Sequence, residues 1–387
     1  MHTLVLTEHF LPSVGGSINW LVNTYSRSRP NEVVFVASQH EGDQLVDHTL
    51  PFRVERIPMT MRDWDPTVPT SLRRYLQISR YVHRSCRKHG IRQIHCAKVL
   101  PEGLIAWWLR FFDSIPYLLY AHGEEILIAL TSRKFRWLLP KIYNSAAAII
   151  ANSRNTKALL QELSINPHKI HTIHPGVDIR SFNVQPFADE QIRQRFNLGQ
   201  SPVLLTVGRL QQRKGQDMVI KALPIIQREI PNVKYVIVGI GEELSSLRKL
   251  AFDVGVTDKV IFTESVSNEE LASYYAACDV FIMPNRQIGA DIEGFGIVYL
   301  EAGAAGKPVI GGRSGGTDDA IIEGLTGLRV DGNSVADIAT AVISLLSDPK
   351  KAKAMGENGR RWVENEFTWE AVAQRTSLLS ATMTTAT

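Results

Sequence analysis

Two carboxylates flank a glycine-rich turn in Asp291-Ile-Glu293-Gly294-Phe295-Gly296-Ile297-Val-Tyr-Leu-Glu301. Gly294 and Gly296 open the turn, and the run from Ile297 to Ala305 has helical propensity, so the backbone N–H groups at its start have no partner within the helix. A helix start of this kind, offered through Gly294, Phe295, Gly296 and Ile297, suits a diphosphate. Glu293 and Glu301 bracket that anion site and would repel phosphate, so they make better acceptors for sugar hydroxyls. The plainer alternative is that Glu293 caps the helix and Glu301 is solvated. A second cluster, Val207-Gly208-Arg209-Leu-Gln-Gln-Arg213-Lys214-Gly215, delivers Arg209 and, five residues on, Lys214 from the end of an apolar strand. Fixed cations there stabilise an anion that gains charge as a bond breaks, although a basic loop is more often solvated surface.

Weaker candidates lie elsewhere. Gly15 and Gly16 follow the apolar strand Thr3-Leu-Val-Leu-Thr and would let a loop pass close to phosphate or sugar, or serve only as a strand-to-helix turn. His122 follows the apolar run Tyr117–Ala121 at a carboxyl end of the sheet, where doubly wound domains bind ligands; a histidine so placed is otherwise a satisfied structural residue. Val238-Gly239-Ile-Gly241 begins like a dinucleotide fingerprint, but Leu244 stands where the third glycine belongs, so an oxidoreductase reading is weak.

These residues must be held by alternating strands and helices. Strands are predicted at 3–7, 32–37, 94–95, 117–121 and 147–151, with helices at 18–26, 71–89 and 134–144. A second series has strands at 203–207, 234–238, 260–262, 280–283 and 308–311 and helices at 335–346 and 350–364. The alternation implies doubly wound parallel sheets, and the continuously apolar strands suit burial on both faces. With 387 residues the chain fits two domains. We expect an N-terminal domain at 1–180, a linker at 181–200, a C-terminal domain at 201–366 and a last segment at 367–387.

A 44% hydrophobic and 21% charged composition is that of a folded globular chain. The start lacks a cationic, apolar leader and no run is long enough to span a bilayer, so a cytoplasmic location is expected. Three cysteines are too few for a disulfide framework or a zinc set and read as buried thiols. The net +4 hides an asymmetry: residues 1–180 carry 22 Lys/Arg against 14 Asp/Glu, and all eleven histidines. That excess gathers at 73–92 and 133–141, the latter beside Trp137, which suits peripheral contact with an anionic membrane surface as well as it suits a solvated helix face. No nucleic-acid partner is expected.

The two glutamates with seven residues between them, Glu293 to Glu301, and Gly208-Arg209 with Lys214 resemble glycosyltransferase family 4, the retaining transferases of the GT-B fold. The resemblance implies two Rossmann-like domains facing each other across a cleft, with the C-terminal domain at 201–366 binding the nucleotide sugar and a last helix at 367–387 crossing back to the N-terminal domain. It implies that Glu293 contacts donor-sugar hydroxyls, that Glu301 holds the ribose, and that Arg209 and Lys214 stabilise the departing nucleoside diphosphate. It places Gly15 and Gly16 on the donor, Gly239 and Val266 around the nucleotide, and His122 beside the reacting sugar as an orienting group. Glu264 stands where the family usually has glycine, and Asp318-Asp319 follow Gly315-Gly316 where Pro-Glu is common. A narrower likeness to GDP-mannose-dependent phosphatidylinositol mannosyltransferases is carried by Arg213-Lys-Gly-Gln-Asp217, Met283-Pro-Asn-Arg286 and Asp291 to Glu301. The expected function is α-transfer of a hexose, with a lean to mannose, from a nucleotide diphosphate sugar to a lipid-linked or glycan acceptor. No cofactor or metal is expected, since the two cations and the helix start already supply positive potential. A UDP-sugar transferase of the same fold and a sugar-nucleotide epimerase stand as alternatives.

Overall fold

The computed structural model describes residues 2–61, 63–183 and 187–385. The chain divides into two compact units, one running to Pro175 and resuming at Trp369, the other spanning Gly176–Thr368.

The first unit is built on seven parallel strands: β1 (Thr3–Thr7), β2 (Val33–Ser38), β3 (Arg53–Ile57), β4 (Gln93–Cys96), β5 (Tyr117–Ala121), β6 (Ala148–Ala151) and β7 (Ile170–Thr172), in the order β3-β2-β1-β4-β5-β6-β7. β1 shows why its centre, Leu4-Val5-Leu6, is apolar. Leu4 and Leu6 enter one core layer with Tyr75, Ile94 and Leu104, while Val5 enters the other with Phe10, Trp20 and Phe35. Alternate side chains point to opposite faces, and helices cover both. The strand order reverses between β1 and β4, the point at which such sheets open a crevice at their carboxyl ends.

The second unit has six parallel strands: β8 (Val203–Val207), β9 (Lys234–Val238), β10 (Val260–Thr263), β11 (Val280–Met283), β12 (Val309–Gly312) and β13 (Gly327–Val330), in the order β10-β9-β8-β11-β12-β13. Its reversal lies between β8 and β11, where Leu204 pairs with Val280. Leu204 faces one core layer, and Val203, Leu205 and Val207 the other.

Sequence reading missed β3, β7 and β13. All three are edge strands, and their segments Arg-Val-Glu-Arg-Ile, Ile-His-Thr and Gly-Leu-Arg-Val carry charged or polar residues where one side meets water. The stretch 181–200, expected as a linker, contains the helix Ala188–Arg195, whose Ile192 is buried in the second core together with Leu198. The last helix, Trp369–Thr385, packs on the helix Gly16–Arg27; Trp369, Val372 and Met383 share a core layer with Trp20, Leu21 and Tyr25. Side-chain caps start several helices, as Ser153 accepts from the Thr156 N–H and Ser267 from that of Glu270. Cys86, Cys96 and Cys278 are all buried free thiols.

Candidate functional site

The densest charge chemistry of the second unit sits at the carboxyl ends of β8 and β11. After β8 the chain passes Gly208 and Arg209, makes a short 3-10 turn at Gln212–Lys214, and enters the helix Gln216–Glu229. Gly215 joins turn to helix at φ 80°, and a Cβ there would strike the Pro284 carbonyl after β11, so only glycine fits both the backbone and the space. This close approach sets Arg213 and Lys214 opposite the segment 285–293.

There Lys214 Nζ lies 2.5 Å and Arg213 Nη1 2.7 Å from the same oxygen, Glu293 Oε2. Arg213 Nε also holds Asp291 Oδ1 at 2.7 Å. All of Arg213, Lys214 and Glu293 are buried. Burial by itself would raise the Glu293 carboxyl, but the charges of Lys214 and Arg213 prevail and hold it down at about 2. Burial pulls the Lys214 ammonium down, with Glu293 opposing that shift. Glu293 Oε1 makes no hydrogen bond among the described residues and remains an acceptor for a hydroxyl. The main chain of Glu293 is fixed as tightly: its carbonyl accepts the Gly316 N–H at 2.9 Å, and Gly315, at φ 65°, leaves no room for a Cβ against it. The Gly315-Gly316 pair thus packs against the glutamate's backbone.

The helix after the glycine turn is Ile297–Ala304, with Gly296 before it at φ 89°. Phe295 is buried and packs on Phe367 with ring centroids 6.1 Å apart, so its side chain belongs to the core and it can offer a ligand only its backbone. Glu301 does not meet the cations. Its Oε2 accepts from Tyr275 Oη at 2.6 Å, and burial raises its carboxyl while that hydroxyl opposes the rise.

Arg209 differs from Lys214: it is exposed, and no described side chain pairs with it. Backbone hydrogen bonds stitch its loop to its neighbours, Gly208 N–H to the Val238 carbonyl at 2.9 Å, Leu210 N–H to Ile240 at 2.9 Å, and Gly239 N–H to Thr263 at 3.1 Å. Arg209, Gly239 and the segment from β10 to the half-buried Val266 are thereby held along one sheet end.

Gly15, Gly16 and His122 belong to the first unit. Gly15 has φ 175°, ordinary extended backbone, and a Cβ there would meet only Ile18 Cδ1 at 3.9 Å, so the fold itself does not demand glycine at 15. Gly16 starts the helix that carries Trp20, whose ring stands edge-on to His122 at 5.6 Å and 80°. The His122 ring donates from Nε2 to the Ala97 carbonyl at 3.0 Å, which leaves Nδ1 as the acceptor, and burial lowers its pKa. His122 is therefore held as a neutral ring at neutral pH.

Sequence reading gave no role to several residues that the structure places in charged clusters. Arg213 and Asp291 complete the Glu293 cluster, and Arg286 forms a fork on Asp217 with two bonds of 2.9 Å. In the first unit Glu8, after β1, donates its backbone N–H to Glu102 Oε1 at 2.6 Å, and both carboxyls are buried at the β1/β4 reversal. Burial, then the charge of Glu8, pushes Glu102 up to about 8. The available signal was a charged residue inside an otherwise apolar stretch, as in Val99-Leu-Pro-Glu102-Gly-Leu-Ile and in Arg286 after the apolar β11.

Residues 188–362 match the family Glycosyl transferases group 1, and residues 14–181 match Glycosyltransferase Family 4. A GDP-mannose-dependent alpha-(1-6)-phosphatidylinositol monomannoside mannosyltransferase of Mycolicibacterium smegmatis is 35% identical, with 96% of each chain covered. The protein of the same description from Mycobacterium tuberculosis is 36% identical over the same shares. Among solved structures, Anabaena Alr3699/HepE in complex with UDP and glucose superposes with a TM-score of 0.84 at 17% identity, covering 99% of this chain and 100% of that one. Sucrose-phosphate synthase from Thermosynechococcus elongatus gives 0.81 at 23% identity, each chain covered completely. These likenesses establish the two-sheet GT-B fold.

Proposed function

The chain belongs to the family 4 glycosyltransferases, and from that footing we propose that it transfers mannose from GDP-mannose to a phosphatidylinositol mannoside, or a closely similar lipid-linked acceptor, with retention and without a metal. The observation that carries this reading is the near-full-length similarity to two enzymes with that donor and acceptor. The buried Glu293–Lys214–Arg213 cluster at the reversal of the second sheet supports it chemically.

In this reading the second unit binds the donor. Glu293 Oε1 accepts a hydroxyl of the mannose while Oε2 stays with Lys214 and Arg213. Exposed Arg209 and the Lys214 ammonium face the diphosphate and stabilise the charge it gains as the glycosidic bond breaks, the task a metal performs in other transferases. Glu301 accepts a ribose hydroxyl, its second oxygen held by Tyr275. The acceptor oxygen attacks from the face the leaving group vacates, its proton passing to the donor phosphate, so the new bond keeps the α configuration. His122, neutral and fixed by Ala97, orients the sugar by accepting at Nδ1.

The first unit supplies a lipid-facing surface in this reading. One face of the helix Pro69–His89 exposes Leu72, Arg73, Leu76, Arg80 and Arg84, and Trp137 stands exposed with Lys141 Nζ 3.3 Å from its ring centroid. Cations interleaved with apolar side chains suit an anionic bilayer surface. No described helix is long and apolar enough to cross a membrane.

A donor panel in EDTA tests the core of the proposal: GDP-mannose, UDP-glucose, UDP-N-acetylglucosamine and ADP-glucose, scored by thermal protection and by nucleotide release with a phosphatidylinositol mannoside present. GDP-mannose should protect and turn over. Preferential turnover of a UDP-sugar, or activity lost in EDTA and restored by Mg²⁺, would overturn the donor or the metal-free part. Equal pelleting with anionic and neutral vesicles would remove the membrane part.

A further inference from the structure

We propose that Asp217 and Arg286 are positioning residues for the Lys214–Glu293 couple, a fork that locks the two loops of the β8/β11 reversal together so that the ammonium and the carboxylate meet the donor in one fixed geometry. The inference rests on the reading that this unit binds the nucleotide sugar.

Lys214 sits on a flexible four-carbon stem, and nothing in its own turn fixes where the ammonium stands. Its turn is fixed from outside instead. Arg286 N–H donates to the Arg213 carbonyl at 2.8 Å, one residue before Lys214. The Arg286 guanidinium then spans Lys214, Gly215 and Gln216 to reach Asp217, with Nη1 on Oδ1 and Nη2 on Oδ2, both at 2.9 Å. Gly215 between these two anchors presses on the Pro284 carbonyl. One residue after β11 thus grips the turn before and after Lys214, by main chain on one side and by a bidentate fork on the other. On the partner strand, the segment that begins with Arg286 runs on to Asp291 and Glu293, which return to Arg213 and Lys214.

A carboxylate in the first turn of a helix is ordinarily explained by the helix dipole, and Asp217 also takes a looser 3.4 Å contact from Lys221. Neither accounts for Arg286, a guanidinium 6% exposed that reaches no other described carboxylate. Burying an arginine for one ion pair is a poor source of stability. It is a good source of orientation, because a planar bidentate pair restricts rotation about both partners. Misplacement of a reacting group by about 1 Å costs on the order of 10²-fold in rate. The three segments that carried the narrower likeness in sequence, 213–217, 283–286 and 291–301, are the segments this fork and the Glu293 cluster tie together.

The test uses the full-length enzyme with R286K, D217N and the exchange D217R/R286D, each measured for kcat, donor KM and melting temperature. R286K keeps the charge and removes the fork. The expected result is a fall of at least tenfold in kcat, with donor KM within twofold and the melting temperature within a few degrees, and partial recovery of kcat in the exchange variant relative to D217N. Wild-type kcat in R286K overturns the inference. So does a loss of activity that tracks a falling melting temperature and is not recovered by the exchange, since that pattern marks a fold contact alone. A wild-type enzyme inert towards GDP-mannose counts against the donor assignment instead, and the same variants are then compared with the nucleotide sugar that the panel selects.

Discussion

Replacing Glu293 by glutamine removes a charge and little else, and its effect on stability can be worked from the structure. The Glu293 carboxyl is held at about 2 against an ordinary 4.5, because Lys214 and Arg213 outweigh the cost of burial. Each unit corresponds to about 1.4 kcal/mol, so the ionised carboxylate contributes roughly 3 kcal/mol at neutral pH. The group is depressed on folding, so this contribution is complete above the unfolded value near 4.5 and disappears as the pH falls through 2. Glutamine resembles the protonated acid at every pH. E293Q should therefore be less stable than wild type by roughly 3 kcal/mol at pH 7 and by less than about half of that at pH 3, where the unfolded carboxyl is already protonated. Urea unfolding from pH 7 to pH 3, with the two units fitted as separate transitions, measures this gap. Transfer should fall by about 10²–10³-fold at the same time, as for removal of a fixed charge-stabilising group. A gap equal at both pH values would refute the ion-pair assignment; wild-type turnover in E293Q would refute the site.

Three further outcomes follow from the same geometry. R209A should leave stability within about 0.5 kcal/mol, since the side chain is exposed and unpaired among the described residues, yet reduce turnover by about 10²-fold; parallel unfolding and rate measurements separate the two. Y275F removes the hydroxyl that holds Glu301 Oε2 and should raise donor KM several-fold with kcat little changed, a split that steady-state kinetics reads directly; a fall in kcat at unchanged KM would place Glu301 in the transition state instead. E102Q should gain stability over wild type as pH rises. Glu102 is raised to about 8, so the folded chain holds a proton that the unfolded chain has lost, and wild type forfeits about 1.4 kcal/mol per pH unit between 4.5 and 8. A pH-independent difference between the two proteins would show that Glu102 ionises normally.

The sequence alone determined the two doubly wound units, because a parallel strand covered on both faces reads as a near-continuous apolar run, and β1, β5, β8, β9 and β11 announce themselves that way. It also singled out the residues proposed for the donor, since Gly208-Arg209, Lys214 and the two glutamates are short-range patterns whose spacing survives in the linear chain. Three of the four edge strands, β3, β7 and β13, escaped because they carry charged or polar residues and obey no apolar rule, whereas the edge strand β10 is Val-Ile-Phe-Thr and was legible. What only the tertiary structure decided was pairing. Lys214 stands 79 positions from Glu293 and Arg286 stands 69 from Asp217. No local propensity links residues so far apart. They meet because the sheet order reverses between β8 and β11 and brings two distant loops to one edge, where buried charges are stable only if each finds its opposite. The same physics separated Arg209 from Lys214: one motif in sequence became an exposed cation and a buried one held against the Glu293 carboxylate.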